Sequence, residues 1–486
     1  MLSIMLNPIM LNPIETKSEA AGLTQTSALS RSVQRLAVLG TAVPEILLPQ
    51  AELDLQKWAV IACDQFTQDE VYWDAVARET EKSPSTLELI LPEIYLEKPM
   101  RAERIAAIHQ TMQRYLDSGV FRPPLRSAVY LERSTPFRRL RRGLLAAIDL
   151  ECYDWTEGTA PLIRATEGVV RDRLPPRVDV RRNAALELPH ILLLINDPED
   201  TLIPALGERA RKKPPLYDTP LMLNSGHVSG WPLDSPEDWD TLAAGLEKLA
   251  GRSQTHTDEH GSEPGCNAGS GIFLYAVGDG NHSLASAKAV WEEYKAAHGG
   301  NPQLMEHPAR WALAELENIH DPGIVFEPIH RVLFGANLGD LTAHLGVLPG
   351  FSQNQVKDRS ELVRQAGERQ SGRASIGLIA GTGLSDEQTA DLTLVSFDSP
   401  LMVTPMLQPL LDSFAADKRC RIDYIHGEDE LFRLSTTDGN IGILLPPVDK
   451  TSLFETVERS GSLPRKSFSM GEAEEKRFYL ESRKLF

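Results

Sequence analysis

The residues best suited to chemistry lie together at Gly278-Asp279-Gly280-Asn281-His282-Ser283, between the apolar run Phe273 to Val277 and a segment, Leu284 to Ala297, whose apolar spacing predicts a helix. Two glycines let the main chain turn tightly and approach a ligand. Free N–H groups at the helix start, with the helix dipole, favour an anion such as phosphate, worth about 0.3–2 kcal/mol from the dipole alone. Asp279 can hold a metal ion or ribose, and His282 can donate to a phosphoryl oxygen or shuttle a proton. The same residues also fit a plain strand-to-helix turn in which Asp279 or Ser283 only caps the helix. The loop is neither a Walker A sequence nor a G-x-G-x-x-G fingerprint.

An anion at that loop would need cations and a base from elsewhere. Glu167 stands before Arg171, Arg173 and Arg177, and a carboxylate among arginines stays ionised and can act as general base or metal ligand. Alternatively these arginines pair with Asp172, Asp179 and Glu187 at the surface. His330 and Arg331 are adjacent on a strand or turn; Arg331 can supply a bidentate phosphate clamp, or be a surface arginine beside a satisfied histidine. Lys466 and Ser467 follow a proline, as a loop folding over an anion would, or form a solvated basic turn. Asp64 and Gln65 end the apolar run Trp58 to Cys63, where α/β sites often place polar groups; a helix-capping network is the other account. His190, just before an apolar run, is read as a core or strand-end histidine. His256 and His260 lack an H-E-x-x-H pattern and are read as solvated.

The elements that must position these residues follow from the whole chain. Its 486 residues are 42% hydrophobic and 24% charged, near globular averages, which excludes collagen-like, coiled-coil and wholly disordered readings. Fifty Lys and Arg against 68 Asp and Glu give a net charge of −18, a sign that disfavours nucleic acid and anionic lipid surfaces as partners. No apolar run exceeds six residues, so no membrane span is expected. The N-terminus lacks a signal-peptide pattern. Four cysteines, Cys63, Cys152, Cys266 and Cys420, are widely spaced, arguing against zinc or a disulfide framework and for a reducing cytoplasm. Along the chain, residues 1–35, with a repeated Met-Leu-Asn-Pro-Ile, read as a disordered lead, 36–251 as an N-terminal α/β region, and 252–271 as an exposed loop or insertion. Residues 272–336 form the motif-bearing strand-loop-helix region that completes the core, and 337–486 a C-terminal α/β region. Ile105, Ile108, Met112 and Tyr115 share one face of a predicted helix. Irregular alternation of strands and helices predicts an α+β fold, a mixed sheet with flanking helices.

The strand-GDGNHS-helix segment resembles the DGHHR/DGNH-type motif of a widespread uncharacterised bacterial and archaeal family, the domain of unknown function numbered one thousand and fifteen. The blocks ACDQFTQDEVYW, IRATEGVVRDRLPPRVDVRR, FEPIHRVLF and LPRKSFSMGEAEEKRFYLE match that family in order, so the resemblance extends over nearly all of the chain after residue 40. The family's motif is in turn similar to the ParB/sulfiredoxin-like nucleotide-binding fold. That similarity implies a ParB/sulfiredoxin-like core elaborated by additional α/β segments, with ATP, ADP or CTP phosphates at the loop. Where those proteins place Arg or His-Arg after the glycine, this chain has Asn281, His282 and Ser283, so the phosphate clamp must come from another residue.

These readings converge on a nucleotide-binding enzyme with Mg²⁺ and ATP or ADP. It would transfer a phosphoryl group to a small metabolite or hydrolyse the nucleotide, as a small-molecule kinase or nucleotide hydrolase. Asp279, His282 and Glu167 are the expected catalytic residues, with Asp279 the metal ligand. Gly278, Gly280, Asn281, Ser283, His330, Arg331, Lys466 and Ser467 are the expected binding residues. The alternative is a nucleotide- or anion-binding regulatory module without turnover.

Overall fold

The computed structural model describes residues 31–137, 140–156, 158–254, 271–368, 372–381, 390–399 and 401–486. The N-terminal repeat, His256, His260 and residues 255–270 of the expected loop lie outside these. Residues 31–38 are helical and bury Leu36, so regular structure starts before the expected boundary at residue 35.

Among the described residues a ten-stranded mixed sheet forms from β1 Thr41–Ala42, β2 Ala128–Ser134, β3 Arg141–Asp149, β4 Tyr153–Asp154, β5 Ile163–Arg164, β6 Ile191–Ile195, β7 Tyr217–Pro220, β8 His227–Leu233, β9 Tyr275–Asp279 and β10 Trp311–Asn318. Its order is β7-β8-β2-β3-β10-β6-β9-β5-β4, with β1 beside β3. This is the mixed sheet with flanking helices expected from the sequence. Strand β6, Ile-Leu-Leu-Leu-Ile, is buried along its whole length, as an uninterrupted apolar run in a sheet covered on both faces should be. Alternation assigns the two faces. Tyr130, Leu144, Ala146, Ala314 and Leu193 join a core with Leu242, Leu246 and Trp291 from helices Pro236–Gln254 and Asn281–Ala297. Val129, Leu131, Leu145 and Leu313 pack on the other side with Val60, Ile61, Trp73 and Phe478. The predicted helical face Ile105, Ile108, Met112 and Tyr115 is buried on helix Arg101–Asp117.

A second sheet contains β11 Phe326–Phe334, β12 Ser352–Gln355, β13 Arg373–Ala380, β14 Asp391–Asp398, β15 Arg421–His426 and β16 Asn440–Leu444, ordered β12-β14-β13-β16-β11-β15. Strand β17 Phe468–Met470 pairs with the start of β11, placing Phe326 opposite Met470. No helix of the described residues is long and apolar enough to cross a membrane. Among the described residues Cys63 and Cys420 are free.

The chain then returns to the first sheet. Residues 475–485 form a strap held by buried charge. Arg477 pairs with Glu315 of β10 and donates to Glu481 at 2.7 Å, while Tyr217 of β7 donates to the other Glu481 oxygen. Arg483 pairs with Glu187 and donates to the Trp311 carbonyl at 2.7 Å. Arg133 and Arg141 donate to the Glu475 carbonyl at 2.9 and 2.8 Å. Phe478 and Tyr479 pair as a short strand with Ile61 and Val60. Side-chain exposure of Arg477 is 4%, of Glu315 1% and of Glu481 0%, so removing one partner strands charge where water does not reach it. Arg477→Leu is therefore expected to lower the unfolding free energy by about 3–5 kcal/mol, read as a lower denaturant midpoint. A loss under about 1 kcal/mol would show that the strap is not anchored by this charge cluster.

Candidate functional site

Strand β9 supplies the loop. Its register with β6 shifts between Leu192, opposite Asp279, and Leu193, opposite Val277, leaving Gly278 as the extra residue of a bulge, a device that re-aims the chain beside sites. A Cβ on Gly278 would lie 2.7 Å from Met470 Sδ, so glycine is needed for β17 to close over the loop. Gly280 has φ +80° and forms the cap of helix Asn281–Ala297; a Cβ there would sit 3.2 Å from His190 Cδ2. No side-chain cap bond closes the start of this helix, although the Gly280 N–H itself donates to Asp279. The sequence leaves open whether Asp279 or Ser283 caps the helix; neither side chain forms a cap bond to its first turn.

Parallel pairing of β5 with β9 carries the following residues alongside the loop. Thr166 donates to the Val277 carbonyl at 2.5 Å, and Glu167 bridges to Leu463, which draws in the 463–467 turn. Lys466, at φ +56°, donates its N–H to Glu167 Oε1 at 3.2 Å. From the strap, Lys476 donates to Asp279 Oδ2 at 2.9 Å, while the Gly280 N–H donates to Asp279 Oδ1 at 2.8 Å.

Together these groups line a cavity of about 410 Å³. Gly278, Asp279, Gly280, Asn281, His282, Ser283, Glu167 and Lys466 all face it, so eight of the eleven expected catalytic and binding residues meet in one place. Three do not. Ser467 is buried and donates to the Pro464 carbonyl at 2.5 Å. His330 is buried in the second sheet, where its Nδ1 accepts from the Leu445 N–H at 3.1 Å, and burial with Arg331 pushes its pKa down to about 4. Arg331 is 1% exposed, pairs with the Ile329 carbonyl and donates to Gln408 at 3.0 Å. It lies 5.1 Å from the Tyr424 ring centroid, and Lys466 lies 5.9 Å from the same ring. Arg331 thus stands behind the cavity wall, and the cations that reach the cavity are Lys466, Lys476 and Arg177.

On the other polar wall the sequence offers Asp64 and Gln65, as site residues or a capping network, but reads His190 as packing. His190, at the start of β6, faces the cavity with Asp64 Oδ2 3.4 Å from its Nε2 and the Tyr479 hydroxyl 2.6 Å from its Nδ1. Burial alone would raise the Asp64 carboxyl, but His190, Gln65 and Lys476 outweigh it and hold it well below the usual carboxylate range. Burial pulls His190 down, yet Tyr479 and Asp64 leave it above its ordinary value. The two form an ion pair, and a histidine before an apolar run gave no sign of it.

Two further groups are tuned. Burial first, then Asp279, raises Glu167 to about 7. Burial and the charges of Arg177, Arg173 and Arg465 lower His282 to about 4, so its imidazole is neutral at pH 7. Its Nε2 accepts the Val170 N–H at 3.3 Å, which leaves the proton on Nδ1 as a donor. The site thus offers open helix amides, a neutral imidazole donor, lysines, and a carboxyl that titrates near neutrality, a set suited to an anion and to proton transfer.

Fold and site together define a mixed α/β protein with a cation-lined polar cavity. The chain belongs to the family described as "Protein of unknown function (DUF1015)", matched over residues 47–386. That span holds the loop but not Lys466 or the strap, so it is shorter than the near-complete resemblance expected from the sequence blocks. No match is found among curated proteins. Among solved structures, similarity is found to a conserved hypothetical protein from Pyrococcus furiosus, 11% identical over 67% of this chain and 90% of that one, with a TM-score of 0.32. A free serine kinase in complex with AMP is 10% identical over 68% and 88%, TM-score 0.33. SbnI with a C-terminal truncation from Staphylococcus aureus is 9% identical over 67% and 82%, TM-score 0.32. At that level of likeness the chemistry has to be argued from the residues of this cavity.

Glu167 gives the site a measurable signature. Its carboxyl ionises near 4.5 in the unfolded chain and near 7 in the folded one, so folded stability falls as pH rises through that window and stays lower above it. Glu167→Gln, which keeps the acceptor for the Lys466 N–H, should be more stable than wild type at pH 8 by about 1–2 kcal/mol, with the difference vanishing below about pH 4.5. Denaturant titrations across pH 4–8 would decide it; equal stabilities at both ends would show that Glu167 is an ordinary solvated carboxylate.

Proposed function

We propose that the protein is a nucleotide-binding enzyme acting on the phosphoryl groups of ATP or ADP at the loop Gly278 to Ser283, by transfer to a small metabolite or by hydrolysis. The supporting observation is the uncapped start of helix Asn281–Ala297 facing a cavity with Lys466 and Lys476. At about 410 Å³ the cavity is within the ~300–1,000 Å³ of small-molecule sites. In this reading β9, the loop and its helix are the counterpart of the ParB/sulfiredoxin-like nucleotide loop.

The loop amides and the Nδ1–H of His282 bind phosphate oxygens. Asn281 Oδ1, buried without a hydrogen-bond partner, accepts a ribose hydroxyl. Lys466 and Lys476 take the place of the missing arginine and neutralise charge that develops on the transferred group. Glu167, titrating near neutrality, accepts the proton of the attacking hydroxyl or water. Glu167 and Asp279 face the same cavity, and Mg²⁺ commonly sits on one or two carboxylates plus phosphate oxygens. Asp279 would hold Mg²⁺, which would supply charge neutralisation on the phosphates. The described residues contain no cluster of three His, Cys, Asp or Glu that would bind a metal without such a ligand.

A regulatory module without turnover is the second reading. It is favoured by the cavity wall itself, which includes Ile329, Phe468 and His426 of the second sheet, so that an occupant would touch both sheets. Phosphate release or a phosphorylated metabolite supports the enzyme, and tight binding without turnover supports the switch.

A thermal-shift screen of ATP, ADP, CTP, GTP and pyrophosphate, with and without Mg²⁺, tests both. A ligand at a hundred times its Kd stabilises the native state by about 2.7 kcal/mol. Asp279→Ala combined with His282→Ala should abolish the shift while leaving the unliganded fold intact. Unchanged nucleotide affinity in that variant by calorimetry, or no shift with any of these ligands, would reject the assignment.

A further inference from the structure

A second cavity adjoins the first. It measures about 150 Å³ and is walled by Leu89, Leu91, Leu96, Met112, Val180 and Ile191. Asp64, Glu93, Arg177, His190 and Ser283 line both cavities, so the two share a polar seam. The seam is organised on both sides. Arg177 pairs with Glu93, and the Asp64–His190 pair is backed by the Tyr479 hydroxyl. Tyr479 in turn accepts the Cys63 N–H at 3.1 Å, which fixes its ring against the histidine.

Beyond the seam the wall is mainly aliphatic, with Arg181 and Glu187 paired to each other on one side, and a volume of about 150 Å³ is the size that takes one benzene ring. At its mouth the seam offers the Asp64 carboxylate, held in place by His190 and Gln65 and with acceptor positions to spare. A hydroxyl can donate to that carboxylate beside the His190 ring. The loop residue Ser283 lies on the same seam, so a head group held there is beside the loop where phosphate is placed.

We infer that the recess is a specificity pocket for a second small molecule, one that seats a benzene-sized aromatic or branched aliphatic group among Leu89, Leu91 and Met112 and presents a short hydroxylated head to Asp64 and His190. The chemistry done to that head rests on the nucleotide reading; binding in the recess does not. The acceptor class is therefore a small alcohol with an apolar body, and a polyol without one is excluded by the lining.

Benzyl alcohol, toluene and glycerol are the probes, titrated against the whole protein by ligand-observed NMR and thermal shift, with ATP measured in parallel. Benzyl alcohol should bind, toluene about fivefold or more weakly, and glycerol without saturation. Ala184→Phe and Val180→Phe each project a ring into the recess and should weaken benzyl alcohol about tenfold or more while leaving the ATP shift in place. Val180 is only half-buried, so its variant serves if Ala184→Phe does not fold. His190→Gln should narrow the advantage of benzyl alcohol over toluene. Failure of benzyl alcohol to bind, affinity unchanged by filling the recess, or glycerol binding as well as benzyl alcohol would overturn the pocket. Benzyl alcohol binding with no ATP shift would leave the pocket standing and remove the nucleotide reading instead.

Discussion

The structure depends on one buried cation. Arg477 sits between Glu315 of the central strand β10 and Glu481 of its own strap, with Tyr217 completing the second carboxylate. A charge at that depth is tolerable only while both partners are in place, so the strap has one seating on the sheet. One residue earlier Lys476 meets Asp279, and two residues later Tyr479 meets His190. Anchoring the guanidinium therefore sets the position of two groups on the candidate site, and the pairing of Arg483 with Glu187 holds the far end.

Charge within the cavity follows a clear division. Asp64 is compensated by His190, which favours its ionised form, and Asp279 is paired with Lys476. Glu167 has only a backbone N–H and is left to burial and to the field of Asp279, which is why it alone moves toward neutrality. His282 is moved the opposite way by three arginines. In a chain of net charge −18, Arg177, Lys466 and Lys476 are set against Asp64, Glu93, Glu167, Asp279 and Glu472 on this wall, so the cavity holds both signs of charge close together.

Legibility in the sequence followed the range of the contacts. The strand, glycine turn and helix at 273–297 are local features, and their spacing announced the element while leaving open whether its start was capped. The apolar run of β6 was readable for the same reason. His190 was not, because its polar neighbours, Asp64 and Tyr479, are distant in sequence and an isolated histidine before five apolar residues looks like packing. Lys476 was invisible because nothing near it hints that the chain returns to Asp279. Arg331 misled for a related reason: adjacency to His330 on a strand suggested a polar edge, whereas β11 is bordered by β15 and β16, and both side chains are enclosed by the second sheet.

The same distances bear on how the molecule is made. Lys476 and Asp279 are 197 residues apart, Tyr479 and His190 are 289, and Lys466 and Glu167 are 299. Closing such long loops is slow, and local structure gains nothing from them until the flanking sheets exist. Helix and hairpin formation can thus run far ahead while the cavity has no walls, and loosening of the strap alone would dismantle the site with both sheets still standing. Competence to hold a ligand is in this protein the final acquisition of folding and the earliest casualty of its reversal.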